Sequence, residues 1–183
     1  WYGGEKGGEA LADVLMGKYN PAGRLPITFY KTIDDIPAFD DYSMKGKTYR
    51  YVTKPVLYPF GYGLSYTTFV YSQLKLSSQI LNSKSSLKID LTLKNTGNYD
   101  GDEVVQFYIK HNGIDMPIKE LKGFKRVHLK KGAEQMLSFN LKASDIQHYD
   151  SKLDDLGIIP GKIQLFIGPS SADAKLIGNF ELK

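Results

Sequence analysis

The sequence predicts a mainly β chain: an antiparallel two-sheet sandwich over residues 70–183, preceded by a helix and a strand over 1–30 and by an ordered, aromatic-rich strap over 31–69. Three observations carry this reading. Beyond Phe69 apolar and polar residues alternate at period two, a single segment near the start has helical spacing, and ten of the 13 tyrosines fall within the first 71 residues. Half-buried strands produce the first pattern and an amphipathic helix the second. The third separates two kinds of structure.

Glu9 to Met16 places Leu11, Val14 and Leu15 on one helical face, carries acidic Glu9 in its first turn and ends at Gly17, which suits the left-handed cap. Asn20-Pro21-Ala22-Gly23 is turn chemistry, and Leu25 to Phe29 reads as a short strand in which Pro26 favours a first or edge position. One helix and one strand cannot bury each other's faces. Residues 1–30 are therefore expected to complete a domain whose other elements precede Trp1, in a chain that reads as a piece of something longer.

From Lys31 to Thr68 no period is sustained, but Pro37, Pro55, Pro59, Gly46, Gly61 and Gly63 are interleaved with Tyr42, Tyr49, Tyr51, Tyr58, Phe60, Tyr62 and Tyr66. A disordered linker is poor in aromatics. This segment is expected to be an ordered strap that buries rings against neighbouring domains.

The alternating runs are Leu74 and Leu76; Leu87, Ile89, Leu91 and Leu93; Val105, Phe107 and Ile109; Leu137, Phe139 and Leu141; Ile163, Leu165 and Ile167; and Phe180 with Leu182. Leu121 to Leu129 is a weaker seventh candidate. Turn clusters at Asn95 to Gly101, Lys130 to Gly132 and Pro160-Gly161 separate them. About seven such strands, each sheet with one dry face, make an immunoglobulin-like sandwich, and the absence of cysteine selects its fibronectin type III-like form.

Several function classes are excluded early. No apolar run exceeds three residues, whereas a membrane helix needs about 20. The net charge is +1 before Phe69 and +3 after it, too evenly spread for a nucleic-acid partner. Without cysteine there is no disulfide, thiolate metal site or Cys nucleophile.

The motif-like stretches favour ordinary structural roles. Gly3 and Gly8 have phosphate-loop spacing, but Glu9 stands where the phosphate-binding Lys belongs. Ser65 lacks the second glycine of a nucleophile elbow and reads as a turn residue. His111, His128 and His148 are too scattered for a metal site and read as surface or core histidines. The acid pairs Asp34-Asp35, Asp40-Asp41, Asp102-Glu103 and Asp154-Asp155 read as solvated turn acids, since neighbours on a strand point to opposite faces. Lys119, Lys122, Lys125, Arg126, Lys130 and Lys131 read as protection of an edge strand.

Taken together, these stretches resemble the C-terminal end of glycoside hydrolase family 3, the β-glucosidase and β-xylosidase family. The run from Trp1-Tyr2-Gly3-Gly4 to Asp13-Val14-Leu15, followed by Tyr19-Asn20-Pro21-Ala22-Gly23-Arg24-Leu25-Pro26, is similar to the end of its α/β sandwich domain. Gly46-Lys47-Thr48-Tyr49-Arg50-Tyr51 and Tyr58-Pro59-Phe60-Gly61-Tyr62-Gly63-Leu64-Ser65-Tyr66-Thr67-Thr68-Phe69 resemble its connecting segment. Asn95-Thr96-Gly97, Gly101 to Tyr108 and Lys119-Glu120-Leu121-Lys122-Gly123-Phe124 resemble its fibronectin type III-like module. Gly4 departs from the Pro of many members.

The resemblance implies a C-terminal structural part of an exo-acting retaining β-glycosidase, periplasmic or secreted, whose barrel binds the oligosaccharide. The catalytic carboxylates would lie upstream of Trp1, so no catalytic, cofactor or metal residue is assigned to this chain and no cofactor is implied. Tyr42, Tyr49, Tyr51, Tyr58, Tyr62 and Tyr66 are the candidate sugar-stacking or domain-interface rings. In the first role they would belong to a free-standing carbohydrate-binding module; a third reading is an oligomerisation surface.

Overall fold

A computed structural model describes residues 3–112, 116–150 and 154–183; Trp1 and Tyr2 of the opening motif lie outside the described residues. Helix α1 spans Gly7–Leu15, two residues ahead of its sequence signal, and Gly17 after it adopts φ +73°. The segment from Leu25 to Phe29 does not become a regular strand. It lies antiparallel to 58–62 with a single bridge, Phe29 to Tyr58, while Leu25 N–H donates to Tyr62 O at 2.8 Å and Gly61 N–H to Leu25 O at 2.8 Å. Pro26 brings no N–H to a ladder, so the expected strand is corrected to a bridged extended segment. The strap is ordered, with one 3₁₀ turn at Ile33–Asp35 and a single-turn helix α2 at Thr48–Tyr51.

Beyond it come β1 (Phe69–Leu76), β2 (Ile80–Leu81), β3 (Ser86–Asn95), β4 (Gly101–His111), β5 (Glu120–Leu129), β6 (Glu134–Lys142), β7 (His148–Asp150), β8 (Asp155–Gly157), β9 (Gly161–Gly168) and β10 (Leu176–Leu182). One sheet has the order β1-β3-β6 and the other β2-β10-β9-β4-β5, with β7-β8 as a separate hairpin. All neighbours are antiparallel except β2 with β10. The fold is thus mainly β and fibronectin type III-like. The elements beyond the expected seven are short ones, β2, β7 and β8, which are too brief to show a period.

Between the sheets Leu87, Ile89, Leu91 and Leu93 of β3 meet Val105, Phe107 and Ile109 of β4 and Ile163, Leu165 and Ile167 of β9, all nearly without exposure. Phe107 and Phe139 touch across the layers, ring centres 4.9 Å apart. One expectation fails on β4. The middle of its outer face is also dry, with Gln106 and Tyr108 buried beneath the strap.

Gly123 explains why β5 carried the weakest signal. It is paired with Phe107, and a methyl group there would sit 2.3 Å from the Phe107 ring. The strand gives up an apolar residue to admit a core aromatic from its neighbour. Replacing Gly123 by Ala should therefore cost about 1–3 kcal/mol through overpacking, read as a lower urea midpoint; an unchanged midpoint would show that Phe107 moves freely.

Candidate functional site

The connecting chain meets the outer face and one end of the five-stranded sheet along a continuous seam. Its aromatic part starts at α2, where Tyr49 stacks on Phe60 at 4.3 Å and meets Tyr108 of β4 edge-on at 5.9 Å. Tyr49 Oη accepts from Leu121 N–H at 3.0 Å, and Ser171 N–H donates to Phe60 O at 2.9 Å. Gln106 donates to the carbonyls of Gly61, at 3.2 Å, and Pro169, while its own oxygen accepts from the Tyr108 hydroxyl. Burial pushes the Tyr49 and Tyr108 hydroxyls up, so both act as neutral donors and acceptors.

Glycines make this approach possible. Gly61 has φ +82°, and a methyl group on it would lie 2.2 Å from Gln106 Oε1. At Gly63 it would lie 2.1 Å from Gly23 O. The spacing of the Phe60-Gly61-Tyr62-Gly63 stretch thus records where backbone must touch backbone or amide.

At the sheet's end Arg24 donates to Glu103 at 2.8 Å, with side chains only 9% and 6% exposed. Two amides flank the pair. Asn20 donates to Asp100 O at 3.0 Å and accepts from Ser65 Oγ and Tyr66 N–H at 3.0 and 2.8 Å. Asn95, fully buried, donates to Tyr99 O and Leu129 O and accepts from the Thr67 hydroxyl at 2.6 Å and from Gly97 N–H. Tyr66 Oη reaches back to Val14 O at 2.7 Å, tying α1 to the same end.

A second polar cluster lies where β4, β5 and β7 meet. Arg50 and Lys122 both engage Glu120, the latter at 2.9 Å, and His148 Nε2 lies 3.8 Å away. His111 and His148 meet in a T-shaped arrangement at 6.0 Å between ring centres, and His111 bonds Ile159 O through Nε2 at 2.8 Å. Burial raises the Glu120 carboxyl, but the Lys122 ammonium bonded to it, with Arg50 and His148 close by, holds it below the ordinary carboxylate range. Burial pushes His148 down, and Lys122, His111 and Arg50 add to that against the pull of Glu120. With two cations against one carboxylate the cluster carries a net positive charge, which opposes a metal ion, and among the described residues no cluster of three or more His, Asp or Glu side chains is arranged to hold one.

The six candidate tyrosines divide. Tyr49 is half-buried in the seam; Tyr58 and Tyr62 pack on each other at 5.1 Å, with Tyr58 edge-on to Phe29. Tyr51 lies beneath the Arg50 guanidinium, Tyr66 is bound to Val14, and Tyr42 is 92% exposed. The acid-pair reading needs correction at Asp102-Glu103. Both lie on β4, Glu103 is buried on Arg24, and Asp102 holds Arg126 and His128 at 2.5 and 2.6 Å. The edge-strand lysines are likewise split: β5 is an edge, but Lys119 sits over the Phe166 ring at 4.4 Å and Lys122 is committed to Glu120.

Residues 1–66 match the family model described as the glycosyl hydrolase family 3 C-terminal domain, and residues 103–171 match that of a fibronectin type III-like domain. The xylan 1,4-β-xylosidase of Xylanibacter ruminicola is 41% identical over 177 residues, covering 96% of this chain and 20% of that protein. The periplasmic β-glucosidase of Salmonella typhimurium is 37% identical, covering 100% and 25%. A solved structure of the β-glucosidase of Kluyveromyces marxianus superposes with a TM-score of 0.89 at 33% identity, covering 100% of this chain and 23% of that one. The chain thus spans about a quarter or less of the length of these relatives.

Two outcomes are expected. Arg24→Ala leaves Glu103 buried and unpaired and should cost about 3–5 kcal/mol in chemical denaturation, whereas replacing both residues by apolar ones of similar volume should cost less. For His148, a folded value below the ordinary 6.5 means that the unfolded chain binds the proton better. Stability should be full above about pH 6.5 and fall as pH drops below it, before carboxylates titrate. Thermal melts between about pH 7.5 and 5.5 should slope less for His148→Gln; equal slopes would assign the effect elsewhere.

Proposed function

Because this chain belongs to the C-terminal part of glycosyl hydrolase family 3, we propose that it is the structural end of an exo-acting retaining β-glycosidase acting on β-glucosides or β-xylosides of plant-type oligosaccharides. The observation that carries this is the seam. The segment matching the family's C-terminal domain is bolted to the sandwich by the buried Arg24–Glu103 pair, two amide hubs and the stack of Tyr49, Phe60 and Tyr108.

Retaining hydrolysis needs a nucleophilic carboxylate and an acid/base carboxyl about 5–5.5 Å apart across the scissile bond. In this reading both groups, and the sugar contacts, come from the upstream domains, so the 183-residue chain alone is inactive. The sandwich acts at a distance. It holds elements whose displacement by about 1 Å can lower a rate on the order of 100-fold. Residence in the periplasm or outside the cell follows the Salmonella relative, and among the described residues no helix is long and apolar enough to cross a membrane.

The domain-interface role suits Tyr49, Tyr58 and Tyr62 better than a stacking platform, because their faces are spent on Phe60, Phe29 and one another. A free-standing carbohydrate module would need such faces open to solvent.

Deleting residues 70–183 from the full-length polypeptide should lower both its melting temperature and its hydrolysis of p-nitrophenyl β-glucoside or β-xyloside. Unchanged values on both measures would remove the buttress.

A further inference from the structure

The strap turns most of its rings inward, but one stretch does the opposite. Ile33 is 82% exposed, Ile36 53%, Phe39 100% and Tyr42 92%. Single exposed apolar residues are normal, whereas a cluster of large ones marks a surface made for contact. This excursion is held in shape at its base. The Tyr30 hydroxyl donates to Gly46 O and accepts from Thr48 N–H, both at 3.1 Å, and Gly46 turns the chain at φ +72°. Lys54 holds Asp35 at 3.1 Å, and Asp41 caps Ser43 N–H at 2.8 Å. Beside the base lies an apolar cleft of about 450 Å³ whose walls include Ile27, Tyr30, Met44 and Phe60.

The distribution of bare apolar surface says what covers it. Fifteen of the 23 large apolar residues exposed among the described residues lie within residues 1–66, the stretch matching the family's C-terminal domain, and they include Leu11, Leu15 and Met16 of α1. The other eight are spread over the much longer remainder of the chain, with Tyr149 and Leu156 of the β7–β8 hairpin as a directly paired couple. Relatives are four or more times longer than the part covered here, and the matched unit is the C-terminal one, so most of their length precedes it. We propose that residues 33–44 form a docking knob for the upstream domains of the same polypeptide, with Phe39 and Tyr42 entering an apolar pocket. Asp34 and Asp40, which have no ion-pair partner among the described residues, call for N–H or cationic donors on its rim. The knob rests on the glycosidase reading and supplies its contact on the catalytic side.

The test uses the full-length polypeptide with photoreactive benzoylphenylalanine in place of Phe39, irradiated and mapped by peptide mass spectrometry. The expected product is an intramolecular crosslink to residues upstream of Trp1. In parallel, Phe39→Asp with Tyr42→Asp should speed hydrogen exchange of the 33–44 peptide about tenfold or more while sandwich peptides stay unchanged. A crosslink to a second copy, a crosslink into residues 70–183, or equal exchange in both proteins overturns the knob. Since deletion of 70–183 reports on the buttress independently, loss of activity there without an upstream crosslink at Phe39 would fail this inference alone.

Discussion

The structure depends on one constraint: the charges of Arg24 and Glu103 are out of water and must stay together. Each lies in a different part of the chain, one in the extended segment Pro21-Ala22-Gly23-Arg24 and the other at the start of β4, and the two side chains meet at 2.8 Å with almost no exposure. A buried pair of this kind contributes little net stability against an apolar alternative, but separating its members is expensive. Its effect is therefore geometric. Only one placement of the connecting chain on the sandwich satisfies both charges, and the amides of Asn20 and Asn95 fix the flanking loops in that same placement.

The glycines follow from that placement. The Gly61-Tyr62-Gly63 backbone runs directly over Gly23 O and Gln106, and a methyl group at either glycine would lie 2.1 to 2.2 Å from them, far inside van der Waals contact. Tyr49 and Phe60 then fill the remaining space over Tyr108, so the outer face of β4 becomes a second, smaller core. A dry inner face and a dry patch at Gln106 and Tyr108 on the outer one make β4 the least exposed strand of the sheet and the natural element to carry a load between the connecting chain and the sandwich.

The period of two was legible because the inner faces of both sheets obey it strictly, from Leu87–Leu93 through Ile163–Ile167. The seam was less so, since its partners are 79 positions apart for Arg24 and Glu103 and 72 for Tyr49 and Leu121. A signal did exist. Glu103 and His111 stand at the inward positions of the same alternation as Val105, Phe107 and Ile109, where an acid or an imidazole needs a partner. Reading Asp102-Glu103 as a solvated pair overlooked that register. Leu25 to Phe29 failed as a strand for a different reason: Pro26 brings no N–H to the pairing with 58–62, which is left with the single bridge of Phe29 to Tyr58.

The tyrosine-rich half of the chain, which first appeared as one feature, is two. Rings at 49, 58, 60 and 62 pack on one another, on Phe29 and on Tyr108 of the sandwich, and the Tyr49 hydroxyl is bonded to Leu121 N–H. Rings at 39 and 42 stand on a base just as well bonded yet touch water. Backbone order costs roughly 1–2 kcal/mol for each residue fixed, and a protrusion whose largest side chains bury nothing regains little of it. An excursion that is shaped but uncovered is what a chain shows when the burial that completes it belongs to another domain, and the segment carrying it is the one that matches the family's C-terminal domain.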